Sequence, residues 1–204
     1  MSLTEQEIRR YSRHIILPEV GGRGQRKLKE ASVLVVGLGG PGCAAALYLA
    51  AAGVGRIGLW DPERVTASDL ESGIAHDCSR LGLPRARSAM VALKAINPDA
   101  QVECLDIPVS DCDVAVVSAD REVQARLGVV LCTARGAAGA VTALRAGEWH
   151  QGFCSGPEER AVAAAAGVIG SAAATEAIKI LLGIGDPLFG RIFRYDGWGA
   201  VFEG

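Results

Sequence analysis

The chain is predicted to fold as a Rossmann-like α/β domain, a doubly wound and mostly parallel sheet with an antiparallel edge. Three observations carry that expectation. Ser32-Val-Leu-Val-Val36 is a short run rich in β-branched residues, and it stops at Gly37-Leu-Gly-Gly-Pro-Gly42. An Ala- and Leu-rich segment then runs to Ala52, the pattern of strand, glycine turn and helix. Ile57-Gly-Leu-Trp60 reads as a second strand ending in Asp61, about the twenty residues beyond the last glycine that a dinucleotide-binding fingerprint requires. In this arrangement Gly37 permits the tight turn. Gly39 and Gly40 let a phosphate approach bare backbone N–H groups at a helix N-terminus, and Gly42 allows the helix to pack closely on the strand. Asp61 would accept hydrogen bonds from ribose hydroxyls.

Of the 204 residues, 50% are hydrophobic and 22% charged, enough for one domain with a full core and no disordered tract. We read residues 1–204 as a single nucleotide-binding domain: an N-terminal arm and helix over 1–31, a Rossmann-type half over 32–120, and a hairpin, a long apolar helix and final strands over 121–204. A formal net charge of −2 with 21 Lys and Arg makes no electrostatic case for nucleic acid or a membrane surface. No apolar run is read as approaching the roughly twenty residues of a membrane span, and the N-terminus lacks the apolar core of a signal peptide. The expected location is cytoplasmic. The six cysteines, at 43, 78, 104, 112, 132 and 154, form no CxxC pair, so they read as reduced, mostly buried thiols with no zinc site.

In chain order, Glu5 to Arg13 has apolar positions too sparse for a core helix, and Leu17-Pro18 ends whatever helix it forms. Gly21-Gly-Arg-Gly24 reads as punctuation before a short polar helix from Gln25 to Ala31. The aperiodic segment Pro62 to Gly82 lies at the carboxyl end of the second strand, where ligands bind in open α/β sheets. Pro84 to Ile96 is a predicted helix with Ala89, Val91, Leu93 and Ile96 inward, ended by Asn97-Pro98. Gln101 to Leu105 alternates as a strand, and Asp113-Val-Ala-Val-Val117 is a buried parallel strand ending in Ser118-Ala-Asp120. Glu122 to Ala134 is expected to be helical, with a hairpin following from Ala140–Ala146 and Trp149–Cys154 around Gly147-Glu148. Arg160 to Leu182 is a long helix too apolar for a surface element, and the strands Arg191–Tyr195 and Ala200–Phe202 close the chain.

These residues resemble the E1-like adenylyltransferases of the ThiF/MoeB/HesA group over nearly the whole chain. Arg10-Tyr-Ser-Arg-His-Ile-Ile-Leu-Pro18 is similar to that family's RYSRHILLPE opening, and Val35-Val-Gly-Leu-Gly-Gly-Pro-Gly42 to its VGxGGLG loop. Leu47-Tyr-Leu-Ala-Ala-Ala-Gly-Val-Gly55 resembles YLAAAGVG. Gly167-Val-Ile-Gly-Ser171 with Glu176-Ala-Ile-Lys-Ile-Leu-Leu-Gly183 resembles GVIGSLQALEAIKLLLG. The resemblance implies activation of a carboxylate: the C-terminal glycine of a ubiquitin-like sulfur-carrier protein attacks the α-phosphate of Mg-ATP, giving an acyl-adenylate and pyrophosphate. Catalysis of such a transfer is positioning plus neutralisation of phosphate charge. By resemblance, Asp61 is the ribose-binding acid and Asp120 faces Mg²⁺ and the phosphates. Arg13 is the arginine that reaches across a dimer to the partner's ATP.

The departures are as informative. Where the family reads N-L-x-R-Q, this chain reads Asp69-Leu-Glu-Ser-Gly73, so an amide becomes Asp69 and an arginine becomes Ser72. An acid about 4 Å from a phosphate costs a few kcal/mol at an effective dielectric of ~20 unless Mg²⁺ intervenes. Arg85 occupies the place of the family's lysine, which keeps the charge and changes its shape. The motif D-x-T-D-N is reduced to Val117-Ser-Ala-Asp-Arg121. A helix between Leu105 and Asp113 is missing, as are the long crossover loop after Cys154 and the CxxC pairs of the family's zinc. Cys154 reads as a small buried thiol at a strand end, and His14, His76 and His150 as structural. Three functions are consistent with this pattern. One is an ATP-using adenylyltransferase in which Arg85, Arg80 or Arg87 substitutes for the lost arginine, acting on a sulfur-carrier protein or a small carboxylic acid. The second is a non-catalytic E1-like subunit supplying Arg13 in trans, as homodimer or heterodimer with an E1-like homologue. The third is a nicotinamide-binding Rossmann protein, which the missing substrate domain disfavours.

Overall fold

The computed structural model describes residues 2–108, 111–119, 123–148, 153 and 162–197. Three short helices, α1 (Glu5–Arg10), α2 (Ser12–Ile15) and α3 (Gly21–Glu30), lead into β1 (Ser32–Val36), α4 (Gly40–Ala52), β2 (Arg56–Trp60), α5 (Arg85–Ile96) and β3 (Gln101–Cys104). Then follow β4 (Val114–Val117), β5 (Gly128–Arg135), β6 (Ala138–Arg145), α6 (Ala163–Leu182) and β7 (Ile192–Asp196). The seven strands form one sheet in the order β3-β2-β1-β4-β5-β6-β7. The first five are parallel, and β6 and β7 are antiparallel. All five residues of β1 are buried between β2 and β4, so its apolar run meets protein on both faces. Chain order reverses between β1 and β4. The topological switch point of the sheet, where open α/β sheets bind ligands, therefore stands at Gly37 on one side and Ser118 on the other.

The expected mixed sheet is present, with one displacement. Glu122 to Ala134, read above as helical, contains β5 instead: Val129, Val130, Leu131 and Cys132 are buried, in register with β4 on one side and β6 on the other. Pairing on both edges of a β-branched run outweighs local helix propensity. The hairpin thus comes one strand earlier, Arg135 opposite Ala138, with Gly136 in the left-handed region at φ +53°. Residues 149–152 and 154, assigned above to the second hairpin strand, lie outside the described residues, as do residues 200–202 of the last predicted strand. Gly21 to Gly24 does not punctuate; these residues form the first turn of α3. On α5 the inward set is Ala86, Ser88, Ala89 and Leu93, while Val91 and Ile96 are exposed.

Among the described residues the helices gather on one face. Leu28 of α3, Ala45 and Leu49 of α4, Ala89 and Leu93 of α5, and Ile169 and Ala173 of α6 pack in one cluster with Val33 and Val35. The opposite cluster, built on Leu34, Val36, Ala115, Val117 and Leu131, is covered by the connecting residues Leu105, Cys112, Val123 and Ala125. Helix α6 corrects the reading that no apolar run reaches membrane-span length: Ala163–Leu182 passes by length and composition. Its apolar character is accounted for by burial, since Ala166, Ile169, Ala173, Ala177 and Leu181 are enclosed against α4 and the sheet.

Helices α4 and α6 lie side by side because small residues let them. A Cβ added at Gly170 would sit 2.3 Å from the Pro41 carbonyl oxygen and 2.6 Å from Ala44 Cβ, whereas one added at Gly167 meets nothing within 4 Å. Gly170→Ala should therefore cost about 1–3 kcal/mol by overpacking. Gly167→Ala, mid-helix and unobstructed, should gain about 0.5–1 kcal/mol. Thermal unfolding checks both, with about 2–4 °C of midpoint shift per kcal/mol for a chain of this size. A destabilised G167A or an unaffected G170A would contradict this packing.

Candidate nucleotide site

The glycine turn between β1 and α4 is held by its own geometry and by three elements around it. Gly37 takes φ +86°, and a Cβ there would lie 2.6 Å from Ser118 Oγ; the Ser118 hydroxyl donates to the Gly37 carbonyl at 2.9 Å. Leu38 is fully buried. Its N–H donates to Asp61 Oδ2 at 2.7 Å, and its carbonyl accepts from His76 Nε2 at 3.0 Å and from the Cys43 thiol at 3.1 Å. In the neutral ring Nε2 donates to Leu38 and Nδ1 accepts from the Ser88 hydroxyl at 2.9 Å. Burial pushes the His76 pKa below its ordinary value, and it pushes the Cys43 thiol up to about 12.

Beyond Leu38 the turn opens. Gly39 is the N-cap of α4, extended at φ −76°, and no side chain caps the helix. A Cβ at Gly39 would meet nothing within 4 Å, so open space fronts the uncapped first turn. An anion in that space would meet backbone N–H groups and the positive end of the helix dipole. Gly40 is required for a different reason. A Cβ there would press on Ala166 Cβ at 2.6 Å and on Ser72 Cβ at 3.2 Å, so Gly40 is where α6 and the 61–72 segment close behind the turn. At Gly42 a Cβ would fall 1.9 Å from the Gly37 carbonyl oxygen, which makes it the glycine of close turn–helix packing.

The wall beside the turn is the segment after β2. Asp61 accepts from the Leu38 N–H through Oδ2 and from the Glu63 N–H through Oδ1 at 2.8 Å. Asp69 lies in a 3-10 turn (Ala67–Leu70), where Oδ2 accepts from the Thr66 N–H at 2.7 Å and from its hydroxyl at 2.8 Å. Burial opposes ionisation of Asp69, yet the Thr66 hydrogen bonds and the Arg85 guanidinium outweigh it and hold the carboxyl below its usual range. Arg85 donates to Asp69 Oδ1 at 2.7 Å and pairs with Glu63 at 2.9 Å and with Asp61 at 3.6 Å. Although burial disfavours its charge, those carboxylates raise its pKa.

The structure thus brings Gly37, Gly39, Gly40, Gly42, Asp61, Asp69, Ser72 and Arg85 together at one edge. It does not bring Arg13 there. Arg13 is exposed on α2, and its neighbour Tyr11 is seated at the far end of α4, where a Cβ on Gly53 would be 2.6 Å from Tyr11 Cζ. Asp120, Arg121, His150 and Cys154 lie outside the described residues. Of the arginines expected to replace the one lost at Ser72, Arg80 is bonded to Asp77 (2.9 Å) and to the Ser88 carbonyl (2.6 Å), and Arg87 is exposed. His14 is bonded to Gln25 at 3.0 Å. Sequence reasoning did not single out Glu63, Ser88 or Glu71, whose Oε1 accepts from the first N–H of α6 at 2.9 Å. Ser118 was legible as the residue closing a buried strand. The pairing of Cys43 with His76 through Leu38 had no signal in spacing. Among the described residues no cluster of His, Cys, Asp and Glu is arranged to hold a metal.

A model described as the ThiF family matches residues 11–134. Adenylyltransferase and sulfurtransferase MOCS3 of Drosophila yakuba is 38% identical over 233 residues, taking in 98% of this chain and 51% of that protein. Its counterpart from Drosophila sechellia is 36% identical with the same coverage. The chain therefore spans about half the length of the curated relatives it matches. Among solved structures, E. coli MccB with succinimide superposes with a TM-score of 0.80 at 18% identity, over 94% of this chain and 69% of that one. E. coli MccB with ATP gives 0.75 at 20% identity, over 91% and 66%. At these identities the likeness is one of fold.

The neutral His76 under the turn makes a pH prediction. The unfolded chain takes up this proton near the ordinary value of 6.5, the folded chain only at lower pH. Stability from this site is therefore fully present above about 6.5 and is lost as pH falls below it, at up to about 1.4 kcal/mol per pH unit. The thermal midpoint should fall between pH 7.5 and 5.5 in the wild type and change less in His76→Gln, whose midpoint is lower at pH 7.5. Equal pH dependence in the two proteins would show that His76 is not held neutral.

Proposed function

The chain belongs to the ThiF family, and from that premise we propose that it is an ATP-binding adenylyltransferase activating a carboxylate as an acyl-adenylate. The carboxylate is the C-terminal glycine of a ubiquitin-like sulfur-carrier protein or that of a small acid. The observation that carries the reading is the turn itself: an uncapped helix N-terminus behind open space at Gly39, with the Asp61 carboxylate beside it. That donor set fits an anionic phosphate flanked by a ribose. It is supported by relatives named as adenylyltransferases and by a solved relative holding ATP.

In the proposed reaction a carboxylate oxygen bonds to the α-phosphorus while the bond to the bridging oxygen breaks, and its electron pair leaves with pyrophosphate. The chain's part is positional. The first turn of α4 receives phosphate oxygens, and Asp61 orients the ribose. By the family resemblance Asp120, which lies outside the described residues, would hold Mg²⁺ through its hard carboxylate oxygens, and the ion would neutralise phosphate charge. A groove of about 380 Å³ lined by Thr133, Arg135, Ala140 and Arg194 lies along the antiparallel edge. An extended carrier tail would lie there, since β5 runs on past the last residue of β4.

Arg13 is assigned to the partner's site in a dimer. Helix α4 has 13 residues, which puts about 20 Å between its ends. Tyr11 is held at one end while the glycine turn is at the other, so Arg13 is remote from its own turn. A second reading, a non-catalytic subunit serving an E1-like homologue, is favoured by a specific observation. Ser72 replaces the family's arginine, and Arg85 is engaged by three carboxylates.

ATP–pyrophosphate exchange with carrier or carboxylic acid separates the two. The first reading expects exchange by the isolated protein. It also expects Asp61→Ala to weaken ATP binding by about 1–3 kcal/mol and Arg13→Ala to slow exchange by about a hundredfold or more. No exchange alone, with Arg13-dependent stimulation of an intact homologue, would establish the second. A monomer in solution would contradict the trans role of Arg13 in both.

A further inference from the structure

One cation ties together the wall of the site. Arg85 is the first residue of α5, and its side chain is 16% exposed. Its Nη2 and Nε donate to the two oxygens of Asp69 at 2.7 and 3.3 Å, and its Nη1 faces Glu63 Oε2 at 2.9 Å and Asp61 Oδ2 at 3.6 Å. Its backbone N–H also donates to the Glu63 carbonyl at 2.9 Å. The three carboxylates come from three places: the end of β2, the loop after it and the 3-10 turn. The planar guanidinium reaches four oxygens of the three carboxylates through a fixed fork, a bidentate geometry that the three donors of an ammonium do not reproduce. Asp61 Oδ2 is shared between Arg85 and the Leu38 N–H, so the fork reaches the glycine turn through a single oxygen. Three carboxylates around one guanidinium leave the group net negative, which repels phosphate rather than attracting it.

We propose that Arg85 is a positioning residue for the nucleoside end of the substrate: it sets Asp61 and the 61–72 wall against the ribose, and Asp69 holds its charge away from the phosphates. This rests on the adenylyltransferase reading of the same site. It differs from a phosphate clamp in which part of the ligand should respond. Arg85→Lys keeps the charge and loses the fork. Adenosine, AMP and Mg-ATP, titrated separately, should then each bind about three- to tenfold more weakly. The KM for ATP in pyrophosphate exchange should rise by the same factor, with kcat within about twofold. Adenosine affinity unchanged while Mg-ATP affinity falls would overturn the proposal, because that is the signature of a phosphate ligand. Asp69→Asn is a second variant that keeps the shape of the 3-10 turn. It releases the guanidinium and removes a carboxylate, so Mg-ATP should gain about three- to tenfold relative to adenosine. No change in that ratio, or a fall, would also overturn it. Wild-type protein that binds none of the three ligands would sink the adenylyltransferase reading and this proposal together. Wild-type binding with the wrong R85K pattern sinks the proposal alone.

Discussion

The structure depends on how the backbone of one residue is held. Leu38 sits between two glycines in a turn that would otherwise be free to sample many conformations, and both of its backbone groups are fixed by side chains from other elements. Asp61 takes the N–H from the end of β2. His76 and Cys43 take the carbonyl from beneath. The entropy of ordering a glycine-rich turn is thus met by buried hydrogen bonds, which are costly to leave unmade. The open space at Gly39 keeps its shape because the residue before it cannot move.

The same clamp shapes the electrostatics of the edge. Asp61 is part of the turn and part of the carboxylate group around Arg85, so the attractive field of the α4 N-terminus and the negative field of the wall meet within a few residues. In the proposed site the groups that would receive a phosphate are, among the described residues, backbone dipoles, while the side chains nearby are mostly acidic or paired. The acid expected to face a phosphate, Asp69, instead faces Arg85. Two departures that read separately in the sequence, Asp69 for an amide and Arg85 for a lysine, are one ion pair in the fold.

Much of this was legible from local pattern. The run from Ser32 to Val36, the glycines after it and Asp61 predict β1, the turn and the end of β2, because strand period, left-handed glycine and strand-end acid are all local constraints. What was not legible depends on residues distant in sequence. Val129, Val130 and Thr133 favour a strand, but they lie inside the longer run Glu122 to Ala134 whose remaining residues favour a helix, and the pairing with β4 and β6 decides. Ile96 has the right spacing for the buried face of α5, yet it lies at the exposed helix end, while Val91, two residues from both Ala89 and Leu93, falls on the opposite face as helical spacing dictates. The distinct duties of Gly39 and Gly40 were hidden as well, since the Cβ of Ala166 that separates them belongs to a helix more than a hundred residues later.

That last contact has a kinetic consequence. The glycine turn is made from residues near 40, but the wall behind it is α6, which meets Gly40 through Ala166 and Pro41 through Gly170. During synthesis β1, β2 and α4 leave the ribosome long before α6 exists, and loop closure over such a separation is slow. A nascent chain therefore carries the complete glycine fingerprint for more than a hundred residues of synthesis without α6 behind it. The turn acquires its native rigidity only once α6 docks.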